Sequence, residues 1–440
     1  MPAATAPPPL LLRWQGLLAG LPAGRLGGHL PLLAGLVLCA LIAGLPLVTR
    51  GGLSLLIAAS GLLWVVWSLR TPAGEEGIGT INLWLLAVLA VVVIATGFSP
   101  VPSAALKGLI KLLSYLGVYA LMRQLLATAP VWWDRLTAAL LAGQLVTSVI
   151  GIRQLYGDPG SLARWSDANS LAEGTVRIYS TLENPNLLGG FLLPTLPLAV
   201  VALLRWPGRT RRAFALSSLV LGLVALVLTY SRGAWMGMVV ALGTIALLLA
   251  LRHSRSWPPL WRRLFPLLLI GGGTLLLVVA VATVEPLRVR VLSLLAGRED
   301  SSNNFRMNVW NSVLGMIEDR PWIGIGPGND AFNRIYPLYQ QPKFNALSAY
   351  SIPLEWAVEA GIPGLLAGAG LFFCALRTGL RQLSSTAPLA LPGLAAVAVF
   401  LGLAVQGLTD TIFFRPEVQL VALFCLASLA AGSTPNPAGD

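Results

Sequence analysis

Three arginines and two glutamates stand where an otherwise apolar chain has little reason to carry charge. Arg177 precedes the triplet Asn184-Pro185-Asn186, Arg232 sits in Thr229-Tyr230-Ser231-Arg232-Gly233, and Arg306 ends the run that begins at Gly297. The guanidinium is planar and always charged, and its forked donors match the oxygens of a phosphate or carboxylate. An arginine held at a membrane surface either snorkels to lipid phosphate or grips an anionic substrate, and residue type alone leaves both open for Arg232. The triplet has an ordinary helix-start explanation, with asparagine capping and proline in the first turn. Arg306 precedes a helical pattern over 307–317, where a positive charge opposes the helix dipole. Glu355 and Glu359 follow Ser348-Ala349-Tyr350-Ser351 and are four residues apart, so they share one helix face. Carboxylates one or two turns inside an apolar segment are costly there and tend to face a cavity or a partner. Their chemistry would be proton transfer or charge pairing. Asp410 and Arg415 bracket a further short turn and make a candidate pair of their own.

The elements that must position these groups are membrane helices. Of 440 residues, 56% are hydrophobic and only 11% charged, against about 25% in a typical soluble domain. Apolar runs predict spans near 31–49, 52–69, 81–98, 105–126, 136–155, 186–204, 213–230, 234–251, 265–284, 353–376, 389–409 and 416–432. The fourth is the weakest, being interrupted by Lys107, Lys111 and Arg123. No residue alternation suggests a β-barrel. The expected fold class is therefore all-α, a polytopic bundle of about twelve transmembrane helices.

Basic residues at 205–212, 252–263 and 377–381 fall in alternate loops, which the positive-inside rule assigns to the cytoplasm. Both termini are then cytoplasmic, in an inner (plasma) membrane protein. Residues 1–30 form the N-terminal segment, with no clean cleavage site, and 433–440 the tail. The domain between them, 31–432, carries one large periplasmic loop at 285–352. That loop holds the apolar-periodic stretch 307–317, expected to lie as an amphipathic helix against membrane or bundle. All the polar groups named above then share the periplasmic face.

Several classes of chemistry find no support. The net charge of +12 is explained by topology and contact with membrane lipids, and no soluble basic stripe suggests nucleic acid. Cys39, Cys374 and Cys425 lie in apolar runs, and His29 and His253 in basic stretches, so no metal set or cofactor is expected. Gly271-Gly272-Gly273 reads as helix packing. Gly324–Gly328 follows a helix and so lacks the strand context of a dinucleotide fingerprint.

Taken in order, these segments resemble the O-antigen ligase/polymerase superfamily. The matching pieces are Arg177…Asn184-Pro185-Asn186, Thr229–Gly233, Arg306…Trp310, Pro321–Asn329, and Ser351 through Gly361-Ile362-Pro363-Gly364-Leu365. The stretch 297–306 followed by Tyr336-Pro337-Leu338-Tyr339-Gln340-Gln341 resembles the narrower IctB-type branch, associated with inorganic-carbon (bicarbonate) transport. The superfamily resemblance implies metal-independent glycan transfer from a polyprenyl-diphosphate carrier at the periplasmic face. It implies Arg232 and Arg306 as diphosphate contacts, with Arg177, Ser231 and Asn186 beside them in the matching motifs. A histidine that activates the acceptor in such ligases corresponds to Tyr350 here. A phenol with an ordinary pKa of about 10 is a poor base at neutral pH, so Tyr350, Glu355 and Glu359 are together the catalytic candidates. Three functions stay open: a glycosyltransferase acting on a lipid-linked saccharide, an IctB-type protein of bicarbonate transport or accumulation, and a non-catalytic member of the fold. Transporters commonly show repeated halves with discontinuous helices, and no internal repeat is visible, which favours the first.

Overall fold

The computed structural model describes residues 29–71, 78–157, 177–254, 257–283, 285, 288–289, 291–292, 297–383 and 389–432. Residues 1–28 of the expected N-terminal segment, the 433–440 tail and part of the loop before residue 177 lie outside the described residues. What is described is helical, with no strand. The helices are α1 (Leu30–Gly44), α2 (Arg50–Arg70), α3 (Thr80–Gly97), α4 (Pro102–Thr128), α5 (Trp132–Arg153), α6 (Pro185–Arg205) and α7 (Arg209–Leu228). They continue with α8 (Arg232–His253), α9 (Pro259–Thr283), α10 (Ser301–Asp319), α11 (Asn329–Ile335), α12 (Ile352–Gln382), α13 (Ala390–Gly407) and α14 (Pro416–Ala431). Each expected span coincides with one of these helices. Nine of the described helices are long and apolar enough to cross a membrane, and α1 and α14 are shorter apolar ones. The protein is an all-α, multi-pass membrane bundle.

The ends of these helices are set by local chemistry. Thr49 accepts the Gly52 amide at the start of α2. Asn184 Oδ1 accepts the Asn186 and Leu187 amides at 2.8 and 3.3 Å, with Pro185 in the first turn of α6. Such caps satisfy donors that the helix itself cannot reach.

Burial sorts the helices into a centre and a rim. α6 and α13 are enclosed almost all round, with Leu188, Phe191, Leu192, Leu193 and Leu196 of α6 fully buried. α2, α3 and α4 instead expose leucine and isoleucine along one side, such as Leu55 and Leu62, as lipid-facing helices do. In a hydrocarbon solvent, close packing rather than apolar burial drives helix association, so small residues mark the tightest crossings. At the α8–α13 crossing a side chain on Gly237 would meet the Gly402 carbonyl oxygen at 2.6 Å.

Residues 297–351 form a cap over one end of the bundle. Its core joins Val309, Val313 and Met316 of α10 to Ile325, Phe332, Tyr336, Ala346, Ala349 and to Val358 of α12. α10 departs from the sequence expectation, because it begins at Ser301 instead of Met307. Asp300 explains the earlier start: its carboxylate accepts the Asn303 amide at 3.1 Å and caps the helix. Arg306 therefore lies in the second turn, where the dipole penalty expected of a first-turn cation has faded.

The cap is fastened to α12 at a break. Ala360 and Gly361 leave helical geometry, and the Pro321–Asn329 loop binds there through Ile325 and Gly326 amides to the Val358 and Glu359 carbonyls, both at 2.9 Å. Gly324 and Gly361 have φ of +72° and +68°, and added side chains would strike the facing backbone at 2.6 and 2.5 Å. The glycine-rich stretch Gly324–Gly328 is thus part of a docking joint between loop and helix.

Candidate functional site

Two adjoining cavities open at the capped end of the bundle. The first, of about 270 Å³, is lined by Arg177, Asn186, Tyr230, Ser231, Arg232 and Arg306, with Trp310 and Asp410 completing its wall. These residues come from the loop before α6, the first turn of α6, the α7–α8 turn with the start of α8, α10 and the α13–α14 turn. The second is larger, about 790 Å³, and takes in Tyr350, Glu355, Lys107, Lys111, Arg50 and Arg415 among others. Asn186 and Asp410 line both cavities and form their common wall.

Each arginine of the first cavity is held differently. Arg177 donates through Nε to the Thr229 carbonyl at 2.9 Å and through a terminal nitrogen to Asn186 Oδ1 at 2.6 Å. The Asn-Pro-Asn triplet therefore does two jobs: Asn184 caps α6 and Asn186 orients Arg177. Arg232 opens α8 and pairs with the fully buried Asp300 at 3.0 Å. A cation at a helix N-terminus opposes the dipole, and Asp300 offsets that repulsion while capping α10. The pair also ties the floor of the cavity to its lid.

Arg306 is the exception. Its Nε is buried and, among the described residues, finds no hydrogen-bond acceptor, and neither does the indole Nε1 of Trp310 one turn along the same helix. Burial pulls the guanidinium pKa down from its usual value, with Asp410 pushing it back up and Arg232 adding to the depression. A buried unpaired donor costs about 1–3 kcal/mol; Arg70 Nε and Arg123 Nε elsewhere in the bundle share that state, and what sets Arg306 and Trp310 apart is that both residues line the first cavity. The backbone below is strained too, since Tyr230 sits at φ +50° in the turn that presents Ser231 and Arg232. Non-glycine residues in this region cost of order 1–3 kcal/mol and gather at functional sites.

The three proposed catalytic groups are distributed unevenly. Tyr350 lines the second cavity, also at φ +50°, with its ring edge-on to Phe305 at 5.4 Å. Burial pushes its phenol pKa up, and the negative charge of Asp410 adds to the rise. The strained backbone at Tyr350 is held by Glu355, whose Oε2 accepts the preceding Ala349 amide at 2.6 Å. A 2.6 Å bond between Ser348 and Thr411 hydroxyls fixes the same segment to the α13–α14 turn. Glu355 is 2% exposed and lines the second cavity. Glu359 lines neither cavity; it accepts the Gly328 amide at 2.6 Å and secures the Pro321–Asn329 loop. Asp410 pairs differently from the sequence suggestion. Arg415 lies 3.7 Å from Glu417, while Asp410 faces Arg306 and Arg177 and takes the Thr411 amide at 2.8 Å. Burial raises the Asp410 pKa above the usual carboxylate value; Arg306, the Thr411 and Ile412 amides and Arg177 oppose that rise.

Sequence reasoning thus gathered Arg177, Asn186, Ser231, Arg232 and Arg306, which the fold brings to one cavity. It passed over Trp310 and undervalued Asp410 and Lys111. The spacing of four between Arg306 and Trp310 was the available signal for the first. A charged residue inside the weakest span was the signal for the last.

Residues 217–369 match the family model of O-antigen ligase. The matched stretch contains Arg232, Arg306, Trp310, Tyr350, Glu355 and Glu359, and it supports an O-antigen-ligase-like membrane protein. No curated protein matches the chain.

Proposed function

We propose that this O-antigen-ligase-like membrane protein binds a polyprenyl-diphosphate-linked saccharide in the arginine cavity and transfers its glycan to an acceptor, at the periplasmic face of the inner membrane. The observation that carries this reading is the pair of buried, unpartnered donors, Arg306 Nε and Trp310 Nε1, flanked by Arg177 and Arg232. A diphosphate offers many acceptor oxygens and matches guanidinium geometry. The lining residues of the first cavity, drawn from a single end of the helices, also favour work at one face over passage through the membrane.

In the transfer, an acceptor hydroxyl oxygen attacks the anomeric carbon, and the bond from that carbon to the diphosphate oxygen breaks. The leaving diphosphate keeps the electron pair, and its growing charge falls among Arg177, Arg232 and Arg306. Donors arranged in advance around a developing anion supply much of the rate in such reactions. The hydroxyl proton goes to a carboxylate. Asp410, which lines both cavities, and Glu355, which lines the second, are the carboxylates assigned that role, whereas the raised Tyr350 phenol stays protonated at neutral pH and can only donate. Glu359 supports the loop from outside both cavities.

The test uses protein in nanodiscs, a lipid-linked oligosaccharide donor and a panel of saccharide acceptors. Transfer that disappears in Arg306→Ala, with undecaprenyl diphosphate no longer bound, is the expected result. Wild-type protein that neither binds undecaprenyl diphosphate nor turns over any native lipid extract ends this reading.

A further inference from the structure

The second cavity contains a cation that the diphosphate reading leaves unused. Lys111 lies nine residues into α4, a distance of about 13.5 Å along the axis at 1.5 Å per residue, inside a helix fit to span the membrane. Among the described residues its ammonium makes a single hydrogen bond, to the Phe414 carbonyl at 2.8 Å, and it stands 5.6 Å from the centre of the Tyr115 ring. An ammonium has three donors, so two remain available. Glu359, Arg415, Glu417 and Glu355 all act on it through space, and among the described residues it forms no salt bridge with any of them. Charged groups this deep face cavities and mark function more often than structure.

The other cations around this cavity differ from Lys111 in being paired or peripheral. Lys107 is bound to Asp330 at 2.8 Å, Arg415 faces Glu417, and Arg50 is exposed at the rim on the first residue of α2. Glu355 and Glu417 also line this cavity. A volume of about 790 Å³ is in the range of sites that enclose a small ligand, about 300–1,000 Å³. Through the shared Asn186 and Asp410 wall, a hydroxyl at the near end of this cavity borders the arginine site.

We propose that the second cavity is the acceptor subsite and that Lys111 makes it select a saccharide carrying an anionic group, a uronate carboxylate or a sugar phosphate. This rests on the transferase reading for the word acceptor, but the binding site stands on its own geometry. Lysine suits the task because its compact charge can meet either oxyanion without the fixed fork that arginine requires.

The experiment measures binding to the full chain in nanodiscs of zwitterionic lipid. The probes are a galacturonate disaccharide, galactose 6-phosphate and a neutral galactose disaccharide. At least one charged probe is expected to bind roughly ten-fold tighter than the neutral one, a gap that 1.4 kcal/mol represents. Lys111→Gln closes that gap, while Lys111→Arg keeps a large part of it and serves as the folding control. The charged probe that shows the gap identifies the carboxylate or the phosphate as the group selected. Equal binding of charged and neutral probes, or an unchanged gap in Lys111→Gln, overturns the proposal. Displacement of the charged probe by added phosphatidylglycerol, dependent on Lys111, overturns it as well and makes the cavity a lipid-headgroup site. Undecaprenyl diphosphate binding is followed in parallel and is expected to be unchanged in Lys111→Gln. If wild type fails to bind undecaprenyl diphosphate but keeps the Lys111-dependent gap, the transferase reading falls and the anion-selective site remains.

Discussion

Arginines gather at both ends of this bundle, and the two ends use them in opposite ways. At the end away from the cap, Arg205 closes α6 and reaches Asp134 with two nitrogens, at 2.8 and 3.2 Å. The Trp206 indole donates to the same carboxylate at 3.0 Å, and Arg205 lies 5.5 Å from the Trp133 ring centre. Arg212 donates to the Trp206 carbonyl nearby. That cluster is a staple joining α5 to α6. At the capped end, the Arg306 Nε and its neighbour Trp310 Nε1 have no acceptor among the described residues. Residue types are nearly the same in the two places. What separates the two clusters is whether the protein itself completes the hydrogen bonds.

Substitutions at the two ends should therefore part company. The largest effect is expected at the unsaturated end. Arg306→Ala should lower transfer about 100- to 1,000-fold, the usual cost of losing one preorganised donor to a developing anion. Its thermal midpoint should stay close to wild type, because no hydrogen bond of the free protein is lost; a midpoint that collapses together with activity would erase the contrast.

Trp310→Phe preserves the ring and deletes only the indole donor. About ten-fold weaker binding of undecaprenyl diphosphate is expected, since a hydrogen bond to a charged group is worth about 1.5–3 kcal/mol. Titration of the binding isotherm in both proteins measures it directly, and equal affinities would remove Trp310 from the site.

The pH profile sharpens the comparison at the common wall. Asp410 must be ionised to accept a proton, and its pKa is raised by burial against the opposition of Arg306, the Thr411 and Ile412 amides and Arg177, with Tyr350 also facing it. Transfer should thus fall with acidification while the pH is still above the ordinary carboxylate range. In Asp410→Asn the residual rate should lack that limb, and a limb that persists assigns it to another group.

The smallest functional effect belongs to the saturated end. Arg205→Gln should leave donor binding and transfer unchanged. It should lower stability by about 1–2 kcal/mol, as expected for a partly exposed pair with hydrogen bonds, seen as a modest drop in the thermal midpoint. Loss of transfer at constant stability would show that the staple also shapes the distant site.

The predicted spans and the single face on which the polar groups gather were legible because both follow from local pattern. A run of apolar residues between charged clusters needs no partner to be read as a membrane helix. The same holds for Asn184, where capping is a matter of neighbouring amides. The start of α10 was missed because Asp300 lies among Gly297–Arg306, whose alternating charges look like a solvated loop. Only when that carboxylate is seen to serve Asn303 and Arg232 together does the helix begin there. The carboxylates of α12 were likewise indistinguishable in sequence: Glu355 borders a cavity and Glu359 fastens a loop.

Arg177, Arg232 and Arg306 mark the boundary between the two kinds of knowledge. Composition and spacing alone made them exposed cations on one membrane face, because charge in an apolar chain must go to an end or a cavity. Tertiary structure alone decided that Arg177 is held by Asn186 and Thr229, that Arg232 is paired with Asp300, and that Arg306 Nε is left without an acceptor. Two of those contacts, Arg177 to Thr229 and Arg232 to Asp300, join residues more than fifty positions apart within about 3 Å of one another, and the local pattern of a sequence carries no record of that distance.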